Sequence, residues 1–338
     1  MDFRLSPEQE QLRDTARRFA KSELPELARK MEETNEPLPR EMVKRYAELG
    51  FLGINLPAEY GGHDAGHLEA VLVLEELAKV SPAVAFPMFE SCFGPILAIA
   101  HFAPEELRRR LIPAVCAGEK IVAVSMSEPG AGSALTDLTT RATIKADGVH
   151  LMGQKRWCSG AGHADGYLVY CRMSDDSGAK GIGAVYVEKG TPGLSFGKRE
   201  QLMGFRGIPG ADMFFDDVRV SKENVVVAAN GFRQLMEAFD LERCGNATMC
   251  LALAQGALDF VLDYVQQRRQ FGKPIVDFQA VQIKLAEMAM KVEAARLLIY
   301  QAVCNAAAGL PSIRESAIAK CFANEIAREV TYRKGSDS

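Results

Sequence analysis

The hydrophobic period of this chain changes twice, and this restricts its fold class more than any single residue does. From Ser6 to about Val115 the apolar positions recur at helical spacing. From Ile121 to about Val227 the period falls to two, with many glycines and β-branched residues. From Gly231 onward it is helical again. The pattern predicts an α+β multidomain chain: an N-terminal helical domain over 1–120, a middle β domain over 121–228 and a C-terminal helical bundle over 229–338.

Local signals place the elements. Ser6-Pro7-Glu8-Gln9 predicts a helix start, with Ser as cap, Pro in the first turn and Gln three residues on. A second helix is expected over about Pro39–Leu49, ending at Gly50, and a third over Leu68–Val80. Leu56 to Gly62 reads as a loop, Phe86 to Phe102 as a buried apolar run, and Ala103-Pro104 as the start of a short basic helix ending near Leu111. In the middle domain, Arg141–Lys145 and His150–Gln154 flank the turn Asp147-Gly148, and Tyr167–Met173, Gly183–Glu188 and Met213–Val220 are further strands. Three helices follow: one from Gly231 to about Arg268, one from about Asp277 to Ala308, and one from near Ser312. Val281, Leu285, Met288, Val292, Ala295 and Ile299 form a packing stripe on the second of these.

Composition excludes several classes. A net charge of −4 argues against non-specific nucleic-acid binding. No uncharged apolar run reaches ~18 residues, so no membrane span is expected. The first residues, MDFRLSPEQEQLRD, are too charged for a secretory signal. Eight cysteines stand singly and without CxxC pairing, which predicts reduced, buried thiols in a cytoplasmic protein and no metal site.

The stripe Leu235, Phe239, Glu242, Asn246, Met249, Leu253 carries the most chemistry. Its ends are apolar and its middle holds a carboxylate, which is costly there unless it is paired, protonated or used. Glu242 therefore reads either as a structural ion pair with an arginine, or as a general base whose pKa burial has raised. Two loops add candidates. Ser125-Met126-Ser127-Glu128-Pro129-Gly130-Ala131-Gly132-Ser133 follows an apolar strand end and offers hydroxyls and close backbone approach; it is neither a Rossmann nor a P-loop pattern. Gly153-Gln154-Lys155-Arg156-Trp157-Cys158-Ser159 sets the only tryptophan beside a hydroxyl, although a lone tryptophan is more often core.

Taken together, these segments resemble the acyl-CoA dehydrogenase family, over Leu5 to about Thr331. LSPEQEQLRD, LGFLGINLPAEYGG, SEPGAGS, GQKRW, FDDVRV, RRQFGKPIVDFQAVQ and KLAEMAMKVEAAR carry the resemblance. It implies a helical domain, a β-barrel-like middle domain and a helical bundle, FAD as cofactor, and a homo-oligomer, tetramer or dimer. It implies abstraction of a proton α to a thioester, hydride transfer from the β carbon to flavin N5, and an electron-transfer flavoprotein as acceptor. Carried over by residue, Met126 and Ser127 contact the flavin ring, Trp157 flanks it and Ser159 lies near N5. Ser133 helps hold the CoA, Arg268, Gln270, Phe271 and Gln279 reach a neighbouring subunit's FAD, and Asp240 and Arg243 line the acyl-CoA site.

Most of the family carry the base in a Glu-Gly-Thr segment; this sequence ends at Ser338 before it, and before a glycine-rich FAD-binding segment and the last bundle helix, so an incomplete bundle is expected. A minority, including isovaleryl-CoA and long-chain dehydrogenases, carry it on the long helix, and Phe239-Asp240-Leu241-Glu242-Arg243 matches their pattern. This assigns Glu242 as the base. A crotonobetainyl-CoA reductase branch shares the Glu-Arg pair, so an enoyl-CoA reductase, a desulfinase, or an inactive or truncated acyl-CoA-binding protein stand as alternatives. Ala134 departs from the family's usual Asp after the SEPGAGS loop. Glu90, in the segment corresponding to the acyl end of the pocket, either favours a polar acyl group or faces solvent.

Overall fold

The computed structural model describes residues 4–307 and 309–336. Ten α-helices are described: α1 (Pro7–Glu23), α2 (Pro25–Thr34), α3 (Arg40–Glu48), α4 (His67–Val80), α5 (Pro82–Cys92), α6 (Ile96–Phe102), α7 (Glu105–Cys116), α8 (Phe232–Gln267), α9 (Gln279–Ala306) and α10 (Ile313–Ser336). The strands are β1 (Val122–Ser125), β2 (Arg141–Lys145), β3 (Gly148–Ser159), β4 (Gly166–Arg172), β5 (Ile182–Glu188), β6 (Leu194–Phe196), β7 (Gly210–Val220), β8 (Val225–Val227), β9 (Arg269–Gln270) and β10 (Lys273–Pro274). They form the expected helix, sheet, helix order. The expected end of α9 at Ala308 lies outside the described residues.

The chain folds into two compact units, each assembled from separate stretches of sequence. The first, residues 1–25, 66–85 and 240–338, is helical. Its first helix begins as the cap signal requires: the Ser6 hydroxyl accepts from the Gln9 N–H at 3.2 Å, and the Gln9 side chain accepts from the Ser6 N–H at 2.9 Å. α4 packs against both α1 and α9. It is buried nearly all round, with Val71, Leu72, Leu74 and Leu77 fully inaccessible, where a one-sided stripe would have left a polar face. Glu75 on this helix is also buried, and the Arg296 guanidinium donates to it at 3.0 Å and to Gln255 at 2.7 Å. Gly256 allows α8 to approach α4: a Cβ there would lie 3.1 Å from the Lys79 carbonyl oxygen. Met288, Val292, Ala295 and Ile299 of the α9 stripe are buried, while Val281 and Leu285 are half-exposed.

The second unit, residues 26–65 and 86–239, holds the sheet. Strand order is β6-β7-β3-β2-β4-β5-β8, and β1 runs parallel to β4. The β2–β3 hairpin turns at Asp147-Gly148, with Lys145 opposite Gly148. Arg40 of α3 bridges to Asp165 at 2.7 Å, and Asp165 also accepts the Ile121 N–H at 2.7 Å, which ties the start of β1 to α3.

Several expectations are corrected. The ten-residue helix α2 and the three-residue strands β6 and β8 are not among the expected elements. The run 86–102 is α5 and α6, and α7 continues past Leu111 to Cys116 because Pro113 sits within it without ending it. Cys304 and Cys321 are exposed, so not all thiols are buried. Glu90 does not face solvent; it is 4% exposed. By length and apolarity alone, Pro82–Phe102 and Phe232–Gln267 are long enough to cross a membrane, and 83% of the first window is buried inside the protein, as in a core helix.

Candidate active site

In the sheet unit the candidate residues gather around an irregularity in β3. Lys155 pairs with Met213 of β7, and Cys158 pairs with Ala211, so β3 takes three steps where β7 takes two. The extra residue is a bulge, a common device for turning one side chain out of a strand. Trp157 lies within it at φ 58°, in the left-handed region, and its indole is 55% exposed. The lone tryptophan is therefore not core. Arg156 covers one face of the indole, its guanidinium carbon 4.7 Å from the ring centroid.

The loop after β1 is fastened to this strand by its carbonyls. The Lys155 ammonium donates to the Met126 carbonyl at 2.7 Å, and the Arg156 N–H donates to the Ser127 carbonyl at 2.8 Å. Among the described residues no group accepts from the Met126 or Ser127 N–H. Nor do the Ser127 and Ser159 hydroxyls bond within the protein among those residues. Gly130 and Gly132 face open space, where a Cβ would meet nothing within 4 Å. This set fits a flavin: an exposed aromatic face, two hydroxyls and two backbone donors, all suited to a planar ring edged with acceptors. Ser133 is exposed, two residues beyond the turn that Glu128 and Ala131 close by a β-bridge.

Behind the loop lies an ion pair that sequence reading missed. Lys155 and Glu128 meet at 2.9 Å with 0% and 2% of their side chains exposed. Burial alone would raise the Glu128 carboxyl, but Lys155 and the Thr139 hydrogen bonds outweigh it and hold the pKa down at about 2.

In the helical unit, α8 carries Asp240, Glu242 and Arg243. Around Glu242 on this helix Leu241, Cys244, Ala247 and Thr248 are each 0% exposed, whereas Leu253 of the expected stripe is 42% exposed. Glu242 is half-buried as a residue, yet its carboxyl group is desolvated: burial pushes its pKa up to about 8, and Arg243 opposes this only in part. Arg243 pairs with Asp240, not with Glu242. No ion pair or hydrogen bond reaches the Glu242 carboxyl group among the described residues. The structural ion pair that the sequence left open is not seen among the described residues, and the raised pKa suits a base near neutrality.

Arg268, Gln270 and Phe271 lie just beyond the other end of α8 and in the hairpin β9–β10, with Phe271 92% exposed, and Gln279 opens α9. At ~1.5 Å per residue, Arg268 is about 39 Å along the helix from Glu242. Beside this hairpin, Phe260, Tyr264, Phe271, Phe278 and Met288 line an apolar cavity of about 480 Å³. Among the described residues no group of three or more His, Cys, Asp or Glu side chains is placed to hold a metal ion.

Three family models match in series: the acyl-CoA dehydrogenase N-terminal domain over residues 6–119, the middle domain over 123–218 and the C-terminal domain over 229–333. The chain belongs to the acyl-CoA dehydrogenase family. Its members are flavin-dependent oxidoreductases acting on CH–CH bonds, with FAD as cofactor. The chain is 39% identical to a 3-sulfinopropanoyl-CoA desulfinase of Paraburkholderia xenovorans, over 97% of this chain and 85% of that protein. It is 37% identical to an acryloyl-CoA reductase (NADH) of Anaerotignum propionicum, over 98% and 84%. Among solved structures, butyryl-CoA dehydrogenase from Megasphaera elsdenii superposes with a TM-score of 0.94 at 33% identity, covering 99% of this acyl-CoA dehydrogenase family chain and 88% of that one.

Proposed function

We propose that this protein dehydrogenates a short-chain acyl-CoA between its α and β carbons, with Glu242 as the base. One observation carries the reading: a desolvated carboxyl group, lacking an ion partner among the described residues, stands on α8 within the segment Phe239–Arg243. Thioester α protons are weakly acidic, so a base with a pKa of about 8 matches the task better than an ordinary carboxylate. Glu242 takes the α proton and holds it at its carboxyl group, where burial favours the neutral form. FAD, when bound, would supply the acceptor for a hydride from the β carbon. Met126, Ser127 and Ser159 would orient the flavin ring through their donors, and Trp157 would cover one of its faces and exclude water. Asp240, Arg243 and Ser133 would bind the thioester ligand.

The acyl groups named for the desulfinase, the reductase and the butyryl-CoA dehydrogenase have three or four carbons, which supports a short acyl chain. Membership of the family supports a homo-oligomer in which Arg268, Gln270, Phe271 and Gln279 serve a second copy's FAD. An electron-transfer flavoprotein is the proposed acceptor, and eight free thiols support a reducing, cytoplasmic setting.

A second reading keeps the site and changes the reaction to enoyl-CoA reduction or desulfination; the two curated relatives favour it. The deciding experiment takes purified protein with FAD and mixes it anaerobically with butyryl-CoA, 3-sulfinopropanoyl-CoA and, after flavin reduction, acryloyl-CoA. Flavin bleaching by butyryl-CoA, lost together with α-proton exchange in Glu242→Gln, is expected. Sulfite release without bleaching, or undiminished turnover in Glu242→Gln, would overturn the dehydrogenase assignment.

A further inference from the structure

The Lys155–Glu128 pair is buried where stability gives little reason for it. Removing two charges from water costs several kcal/mol each, and apolar residues of similar volume usually serve a core as well or better. The pair's partners show what it holds. The Lys155 ammonium spans the loop, donating to the Met126 carbonyl on one side of Ser127 and to Glu128 on the other. Glu128 then receives three more donors: the Thr139 N–H and hydroxyl at 2.7 Å each on Oε2, and the Thr140 N–H at 3.0 Å on Oε1. Glu128 also exchanges backbone hydrogen bonds with Ala131 at 2.9 and 3.2 Å, closing the turn. Thr140 in its turn donates to the Gln154 carbonyl, the residue before Lys155. The Met126 and Ser127 carbonyls are thereby held, and the N–H groups of the same two residues bond to no protein acceptor among the described residues.

We propose that Lys155 and Glu128 are positioning residues that hold the Met126–Ser127 donors at the flavin ring and so set how readily that flavin is reduced. The proposal rests on the flavin-binding reading of this loop given above. A reduced flavin carries more negative charge than an oxidised one. Rigid N–H and hydroxyl donors stabilise that charge without reorganising, and a loop free to move stabilises it less. Loss of the pair therefore lowers the flavin's reduction potential while leaving α-proton abstraction, which belongs to Glu242, to its own chemistry.

The test uses full-length protein with FAD and three variants: Lys155→Met/Glu128→Met, Glu128→Gln and Thr139→Val. The double variant removes both charges together, so no lone charge is left in the core. It is expected to fold and to bind FAD. Its oxidised-to-reduced equilibrium should shift at least tenfold toward the oxidised form, about 30 mV for a two-electron couple. Thr139→Val, which removes one exposed donor, should shift it in the same direction by less. Dye-equilibration potentials and the flavin absorption maxima are the readouts, with thermal melts beside them. A double variant with wild-type potential would overturn the proposal. So would one that cannot fold, because the pair would then be a determinant of the fold. Wild-type protein that holds no flavin would overturn the functional reading and this one together; flavin-loaded protein indifferent to the substitutions overturns this one alone.

Discussion

Arg243 forms an ion pair with Asp240, one turn back along α8, while its sequence neighbour Glu242 forms no ion pair among the described residues. Asp240 is held for this by the Ser316 hydroxyl, which donates to it from α10 at 3.0 Å. The consequence is chemical. Burial outweighs the nearby Arg243 guanidinium, which favours the carboxylate, and the Glu242 pKa rises to about 8.

Asp240→Asn should release Arg243 toward Glu242. The acidic limb of kcat/KM against pH is then expected to move down by about one unit or more. The position of the limb is the diagnostic, since loss of a substrate contact would change only its height. A limb that stays in place would show that Arg243 does not control the Glu242 carboxyl group.

The same raised pKa makes stability depend on pH with a definite sign. The folded protein favours protonated Glu242, from an ordinary value of 4.5 up to about 8. The stability this contributes is complete below the ordinary value and is lost as pH rises through about 8. Glu242→Gln stays neutral throughout, so its melting temperature should rise relative to wild type between about pH 5 and pH 9. Parallel melting curves across that range would contradict the buried state of the carboxyl group.

Trp157 is the single tryptophan of the chain and is more than half exposed. Its emission therefore reports on one place only. Titration with FAD should quench it by more than half, because a stacked flavin accepts its excitation, and Trp157→Phe should abolish the signal while keeping flavin absorbance. Unquenched emission in a flavin-loaded protein would remove Trp157 from the site.

Glu75 is 5% exposed at its side chain and neutralises Arg296 inside the helical unit. Glu75→Ala strands that guanidinium, and we expect a loss of about 3 kcal/mol in urea unfolding. A loss within ~0.5 kcal/mol would mean that Gln255 and Glu293, which also bond Arg296, suffice.

What could be read from sequence was what local chemistry controls. The Ser6–Gln9 box, the Asp147-Gly148 turn and the period changes near Ile121 and Gly231 each act over a few residues, and each appears in the structure. Glu242 was legible because a carboxylate among apolar neighbours on a helix is improbable without a reason. Glu90 was not legible as buried, because what covers it comes from chain far from its own helix. Lys155 and Glu128 stand 27 residues apart and meet only through the register of β3, which a bulge shifts. The outward turn of Trp157 follows from that same bulge, and no pattern in GQKRWCS announces it.

The interleaving of the two units along the chain bears on how the protein is made. α4 emerges early in synthesis, but its packing partner α9 begins about 200 residues later. At ~5–20 residues per second, the ribosome leaves this apolar helix unmatched for roughly 10–40 seconds. During that interval Val71, Leu72, Leu74 and Leu77 have only α1 to cover them. Such a nascent chain is a natural client for a holdase, and slowing its synthesis should cost yield of native protein.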